Sequence, residues 1–174
     1  FLLWLVAVIN FSTTEKVFAY SPNTTHAGLS QEVVDFYNLN YERKISNAGK
    51  ELIIKGSIEE DNPATRSLNH FYDPVRNIGI NGGRTSKEWA LNGSLEENAY
   101  SWPKIVGYFA EGDEAKAFLG LGYIIHLIED SSVPDHTRND PHMGHGAKGA
   151  FTGANQAKPG RFALFRLFFN YLKF

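Results

Sequence analysis

Apolar residues along this chain recur every three or four positions, and no stretch alternates for long enough to read as a strand. Ser30 is placed to cap a helix carrying Val33, Val34, Tyr37, Tyr41 and Ile45, and a second apolar group, Leu52, Ile53 and Ile54, precedes Gly56. The two groups predict a helical hairpin or one long, bent helix. The segment HFYDPVRNIGINGGRTS holds Pro74, Gly79, Gly82 and Gly83 without any period, which predicts an ordered loop between helices. Ser86 then caps a helix running through Trp89 and Leu95 towards Trp102, where Pro103 interrupts or restarts it. From Asp113 to Glu129 the pattern is helical and apolar nearly all round, as in the central helix of a bundle. With no hairpin signal and no repeat, the predicted fold is all-α, a multi-helix bundle.

The two ends differ from this middle. Phe1 to Phe11 is an apolar run of signal-peptide length, far short of the ~20 residues that span a bilayer. Val17 and Ala19 stand at minus three and minus one to a cut before Tyr20, so residues 1–19 read as a signal peptide whose own N-terminal part is missing. Export of a domain spanning 20–145 is the expectation. No Asp or Glu follows Asp140, whereas Lys148, Lys158, Arg161, Arg166 and Lys173 all do, and residues 146–174 read as an atypical basic, aromatic tail. Phe162, Phe165, Phe169 and Leu172 fall there at helical spacing, suited to packing or to resting on lipid.

Composition narrows the chemistry. A length of 174 residues with 43% hydrophobic suits one core, and a formal charge of −2 gives no broad basic field for duplex nucleic acid. The absence of cysteine excludes disulfides, Cys-ligated zinc, iron–sulfur clusters and a thiol nucleophile together. A metal here must be held by His, Asp and Glu.

Six histidines are present, and two features stand out. His126 and Asp130 are four residues apart among Ile124, Ile125, Leu127 and Ile128, so both project from one face of the central helix. Burying both costs on the order of several kcal/mol unless they are paired or metal-bound. An ordinary core His–Asp pair and a metal site both answer that cost. Pro134 ends the helix and His136 follows two residues later, still near the same face. His142 and His145 lie in the Gly-rich HMGHG, which suits either a folded-back ligand or a solvated loop. Upstream, Asp61 ends GSIEED, His70 opens HFYDP, and His26 lies near the expected mature terminus.

At THAGLS, GSIEED, NHFYDP and HLIEDSSVPDH the sequence resembles the zinc-dependent phospholipase C and single-strand nuclease superfamily, from Tyr20 to about His142. HFYDP and the H-x3-D-x5-H run look closer to the phospholipase C branch. The resemblance implies a secreted, all-helical, monomeric enzyme with up to three zinc ions in one cleft. A first zinc would be held by Asp61, His70, His126 and Asp130. A second would use His26, Asp130 and the free amine and carbonyl of Tyr20, where the family usually has Trp. A third would use Asp61 as a bridge, His136, a further histidine such as His142, and an acid one turn later that this chain lacks. Asp61 would also orient or deprotonate the attacking water.

The expected reaction is hydrolysis of the glycerol–phosphate bond of a phospholipid, with transient membrane-surface contact. A zinc-dependent nuclease acting on single-stranded nucleic acid is the alternative, since Tyr72, Trp89 or Trp102 would serve base stacking or a quaternary ammonium equally well. A noncatalytic, zinc-stabilised domain is the third reading, motivated by the incomplete third site.

Overall fold

The computed structural model describes residues 22–139, and within them the fold is all-α, with no strand beyond one isolated bridge between Asp73 and Ile78. Its helices are α1 (Ala27–Asn40), α2 (Asn47–Glu59), α3 (Ser86–Leu91), α4 (Trp102–Ala110), α5 (Glu114–Asp130) and α6 (Pro134–Thr137). None is long and apolar enough to cross a membrane. The signal-peptide and tail segments, and with them Tyr20, His142 and His145, lie outside the described residues.

The first two helices form the hairpin. α1 starts before Ser30, directly after a π-helical turn over Pro22–His26, so Ser30 is an interior, fully buried residue rather than a cap. The chain leaves α1 at Asn40, and Asn38 exchanges hydrogen bonds with both backbone groups of Ile45 at 2.8 and 2.9 Å. Ile45 therefore belongs to the connector, not to the helix its spacing suggested. Ser46 caps α2 by accepting from the amide of Gly49 at 3.1 Å.

The middle of the chain is more broken than its periodicity predicts. Thr85, not Ser86, caps α3, its hydroxyl accepting from the Glu88 amide at 3.0 Å, while the Ser86 amide, in the first turn, donates to the carbonyl of Phe71 at 2.9 Å. α3 stops at Leu91, short of Trp102, because the Asn92 side chain accepts from both the amide and the hydroxyl of Ser94 and turns the backbone. Pro103 restarts the helix in the first turn of α4, where its missing N–H costs nothing.

The Asp113 carboxylate caps α5 through the Lys116 amide at 3.0 Å. This helix is the central one: it packs against α1, α2, α3 and α4. Ile125 joins Val33, Val34 and Ile53 in one apolar cluster, while Ala117 and Ile124 join Ile105 in another. α2 and α5 cross backbone to backbone. A Cβ on Gly122 would lie 2.1 Å from the carbonyl oxygen of Ile53, and one on Gly56 would lie 2.0 Å from that of Leu119. Only glycine permits this approach. It brings the C-terminal end of α2, with Ser57, Glu60 and Asp61, against the face of α5 that carries His126 and Asp130.

Candidate metal centre

Five segments deliver side chains to one buried cluster. His26 comes from the turn entering α1, Asp61 from just after α2, His70 from the end of the 3₁₀ turn over Ala64–Asn69, and His126 with Asp130 from successive turns of α5. His136 arrives on α6, which Pro134 starts. The short helix is held over the site because the Tyr72 amide donates to the His136 carbonyl at 3.0 Å.

Asp130 is the centre. Its Oδ1 lies 3.5 Å from His26 Nε2, and its Oδ2 lies 2.9 Å from His70 Nδ1 and 3.2 Å from both His126 Nε2 and His136 Nδ1. Among the described residues Oδ2 nevertheless accepts no hydrogen bond. In His126 one ring nitrogen is already committed: its Nδ1 donates to the carbonyl oxygen of Ser57 at 2.7 Å, since a carbonyl only accepts, which leaves Nε2 as the nitrogen facing Asp130.

A metal ion fits this arrangement. A tetrahedral ion with bonds of about 2.0–2.1 Å holds its donors about 3.3–3.4 Å apart. Among Asp61 Oδ1, His70 Nδ1, His126 Nε2 and Asp130 Oδ2, five of the six separations are 2.9 Å for His70–Asp130, 3.2 Å for His126–Asp130, 3.3 Å for His70–His126, and 3.7 and 3.8 Å for Asp61 with the two rings. Those five distances straddle the tetrahedral edge. Asp61, His70 and His126 thus form one group able to hold an ion, and His26, His126 and Asp130 form another. Because the Ser57 carbonyl engages Nδ1, His126 offers a single nitrogen, Nε2, and serves one ion at a time.

Burial sets the charges in the absence of metal. Burial pushes the His26 imidazole down to about 3, with the neighbouring His126 adding to the effect. Burial also raises the Asp61 carboxyl. Around Asp130 burial is outweighed: the rings of His126, His136 and His70 hold its carboxyl well below the usual carboxylate range. Burial opposes charge on His70 as well, yet Asp130 and Glu60 raise it to about 10. Asp61 is the most open of the acids, its side chain 13% exposed against 3% for Asp130.

Two carboxylates in the site escaped the sequence reading. Glu129 places Oε2 2.6 Å from His26 Nδ1 and accepts from the Ser30 hydroxyl on Oε1 at 3.1 Å. Glu60, fully buried, accepts from the Trp89 indole at 2.9 Å and from the Arg66 guanidinium, and it lies 3.6 Å from His70 Nε2. A charged residue inside an apolar helix signals that a partner exists, but not which one. Glu60 sat in an acidic run that resembles a solvated helix end. Trp89 is also corrected: it is 3% exposed, with its indole committed to Glu60, so it offers no face for stacking on a substrate.

The described residues therefore build a buried His/Asp cluster able to hold a metal ion within an all-α fold. No protein-family model, curated protein or solved structure matches this chain.

Proposed function

We propose that this chain is a secreted, zinc-dependent phosphodiesterase, a phospholipase C that cleaves the glycerol–phosphate bond of phospholipids. The observation that carries the reading is the double engagement of Asp130, with Oδ1 towards His26 and Oδ2 towards His70, His126 and His136. A carboxylate so placed is suited to bridging two cations. Neutral imidazoles and carboxylates suit zinc. Asp61, His70, His126 and Asp130 would hold one ion, and His26 with Asp130 a second.

When bound, closely spaced zinc ions supply positive charge to a phosphodiester's oxygens and acidity to water beside it. The chain's own part is to hold and orient. The buried rings and Asp130 would hold the cations, and the partly exposed Asp61 would orient attacking water and accept its proton. No serine or cysteine nucleophile is needed. The apolar leader-like run and the small residues ahead of Tyr20 support export. Tyr72 and Trp102, both partly exposed, are the aromatics left for a head group.

The test compares phosphatidylcholine in mixed micelles with single-stranded DNA, using zinc-saturated protein processed to begin at Tyr20. Phosphocholine release well above DNA cleavage is the expected result. The reverse preference makes the protein a single-strand nuclease on the same metals. Bound zinc with neither turnover makes it a noncatalytic, zinc-stabilised domain and ends the enzyme reading.

A further inference from the structure

Asp61 and His70 bound one stretch of chain, and Arg66 lies inside it on the 3₁₀ turn over Ala64–Asn69. Its side chain folds back on the start of that stretch. Nε donates to the backbone carbonyl oxygen of Glu60 and to Glu60 Oε2, both at 3.2 Å, and Nη2 donates to the same Oε2. The guanidinium also lies over two rings, 5.1 Å from the centre of Trp89 on α3 and 5.0 Å from that of Tyr123 on α5. We propose that Arg66 is a positioning residue for metal binding, pinning the end of α2 to the 3₁₀ turn so that Asp61 and His70 reach one ion together. The inference rests on the metal reading above and adds to it a residue that stays off the ion.

The physical case begins with an orphan backbone group. α2 ends at Glu59, so the Glu60 carbonyl, which leads directly into Asp61, has no helical partner and takes its donor from Arg66. Glu60 is itself anchored: it is fully buried, and its Oε1 accepts from the Trp89 indole at 2.9 Å. The clamp therefore fastens the ligand-bearing stretch to α3 and α5 at once. A guanidinium suits this position because its planar fork donates to a backbone and a side-chain oxygen together while its face rests on aromatic rings. An ammonium at the same place is a point charge without that geometry, and the guanidinium's charge does not titrate in a protein. Asp61 needs the support most, since its side chain is 13% exposed and its Oδ1 stands 3.7 Å from His70 Nδ1. Released from the clamp, Asp61 is free to turn to water and leave His70 without its companion ligand. Partners outside the ligand set typically change metal affinity about 10–100-fold.

The test titrates zinc into metal-stripped protein, processed to begin at Tyr20, against a chromophoric chelator. Wild type, Arg66→Lys, Tyr123→Phe and Asp61→Asn are compared at a temperature where melting curves in excess chelator show them folded. Asp61→Asn marks the binding step that belongs to the Asp61 ion. Arg66→Lys, which keeps the charge and loses the fork, is expected to weaken that same step about 10–100-fold and to leave the other within a few-fold of wild type. Tyr123→Phe keeps the ring under Arg66 and loses only a hydroxyl 3.4 Å from Glu59, so both steps are expected within a few-fold of wild type. Unchanged affinity in Arg66→Lys overturns the role. Equal weakening of both steps, or a Tyr123→Phe protein that mimics Arg66→Lys, means general loosening of the packing and overturns it too. Should Arg66→Lys be unfolded in chelator, Glu60→Gln cuts the clamp from the other side, and it must weaken the Asp61 step selectively or the role falls. A wild-type protein that binds no zinc at all instead contradicts the metal centre itself, and this role with it.

Discussion

The Asp130→Asn substitution is expected to abolish zinc binding at both positions and to destabilise the metal-free fold by about 3–5 kcal/mol, the range for breaking a buried charge pair. The amide would keep the shape of the side chain and lose the charge that four imidazoles surround. Metal affinity falls by more than the ~10–100-fold attached to an outer partner, because a donor to the ion itself is lost.

The metal-free effect has a pH signature. The Asp130 carboxyl is depressed below 3.8, so its stabilisation is complete above that value and fades as pH falls through the folded pKa. His70 is raised from 6.5 to about 10, so its share is complete below 6.5 and fades as pH rises towards 10. The gap between wild type and Asp130→Asn is therefore widest between those limits and narrows on either side. Urea unfolding in chelator at about pH 5.5 and pH 9.5 checks this. A gap of the same size at both, or none at either, contradicts the charge assignment.

The Gly122→Ala substitution is expected to cost about 3 kcal/mol, at the upper end of overpacking effects, without touching any proposed ligand. The added Cβ would meet backbone on two sides, 2.1 Å from the Ile53 oxygen and 2.8 Å from the Ser57 nitrogen, and no rotamer relieves a clash with backbone. α2 and α5 must separate. Separation stretches the 2.7 Å bond from His126 to the Ser57 carbonyl, so zinc affinity falls with stability although every donor remains. Gly28→Ala is the control, since its Cβ meets nothing within 4 Å on α1 and should stabilise by about 0.5–1 kcal/mol. Thermal unfolding with and without zinc separates the two effects. A Gly122→Ala protein with wild-type melting and affinity would refute the close crossing.

Much of this architecture was legible one residue at a time. The four-residue interval between His126 and Asp130 in an apolar helix reads directly as two polar groups on one buried face, because helical period and desolvation cost are local facts. Gly122 was readable for the same reason: a poor helix former in a buried helix has to offset its cost through close packing. Cap choice was not. Thr85 and Ser86 are chemically equal candidates, and which hydroxyl reaches the Glu88 amide depends on where the backbone enters α3, which the loop before it sets.

Pairings across the chain were equally hidden. Glu129 meets His26 over a separation of 103 residues, and nothing in either neighbourhood names the other. From sequence alone Trp89 reads, with Tyr72 and Trp102, as an aromatic able to stack on a base or face a quaternary ammonium. Only the fold shows Glu60 beneath its indole and Arg66 and Arg84 against its ring at 5.1 and 5.4 Å.

The most direct measurement is an anomalous difference map at the zinc edge from crystals of the full chain grown with zinc. A strong peak bonded to Asp61, His70, His126 and Asp130, with a second beside His26 and the other oxygen of Asp130, is the predicted result. Crystals with no peak there, and with His126 Nε2 hydrogen-bonded to Asp130 as a plain core pair, would contradict the account.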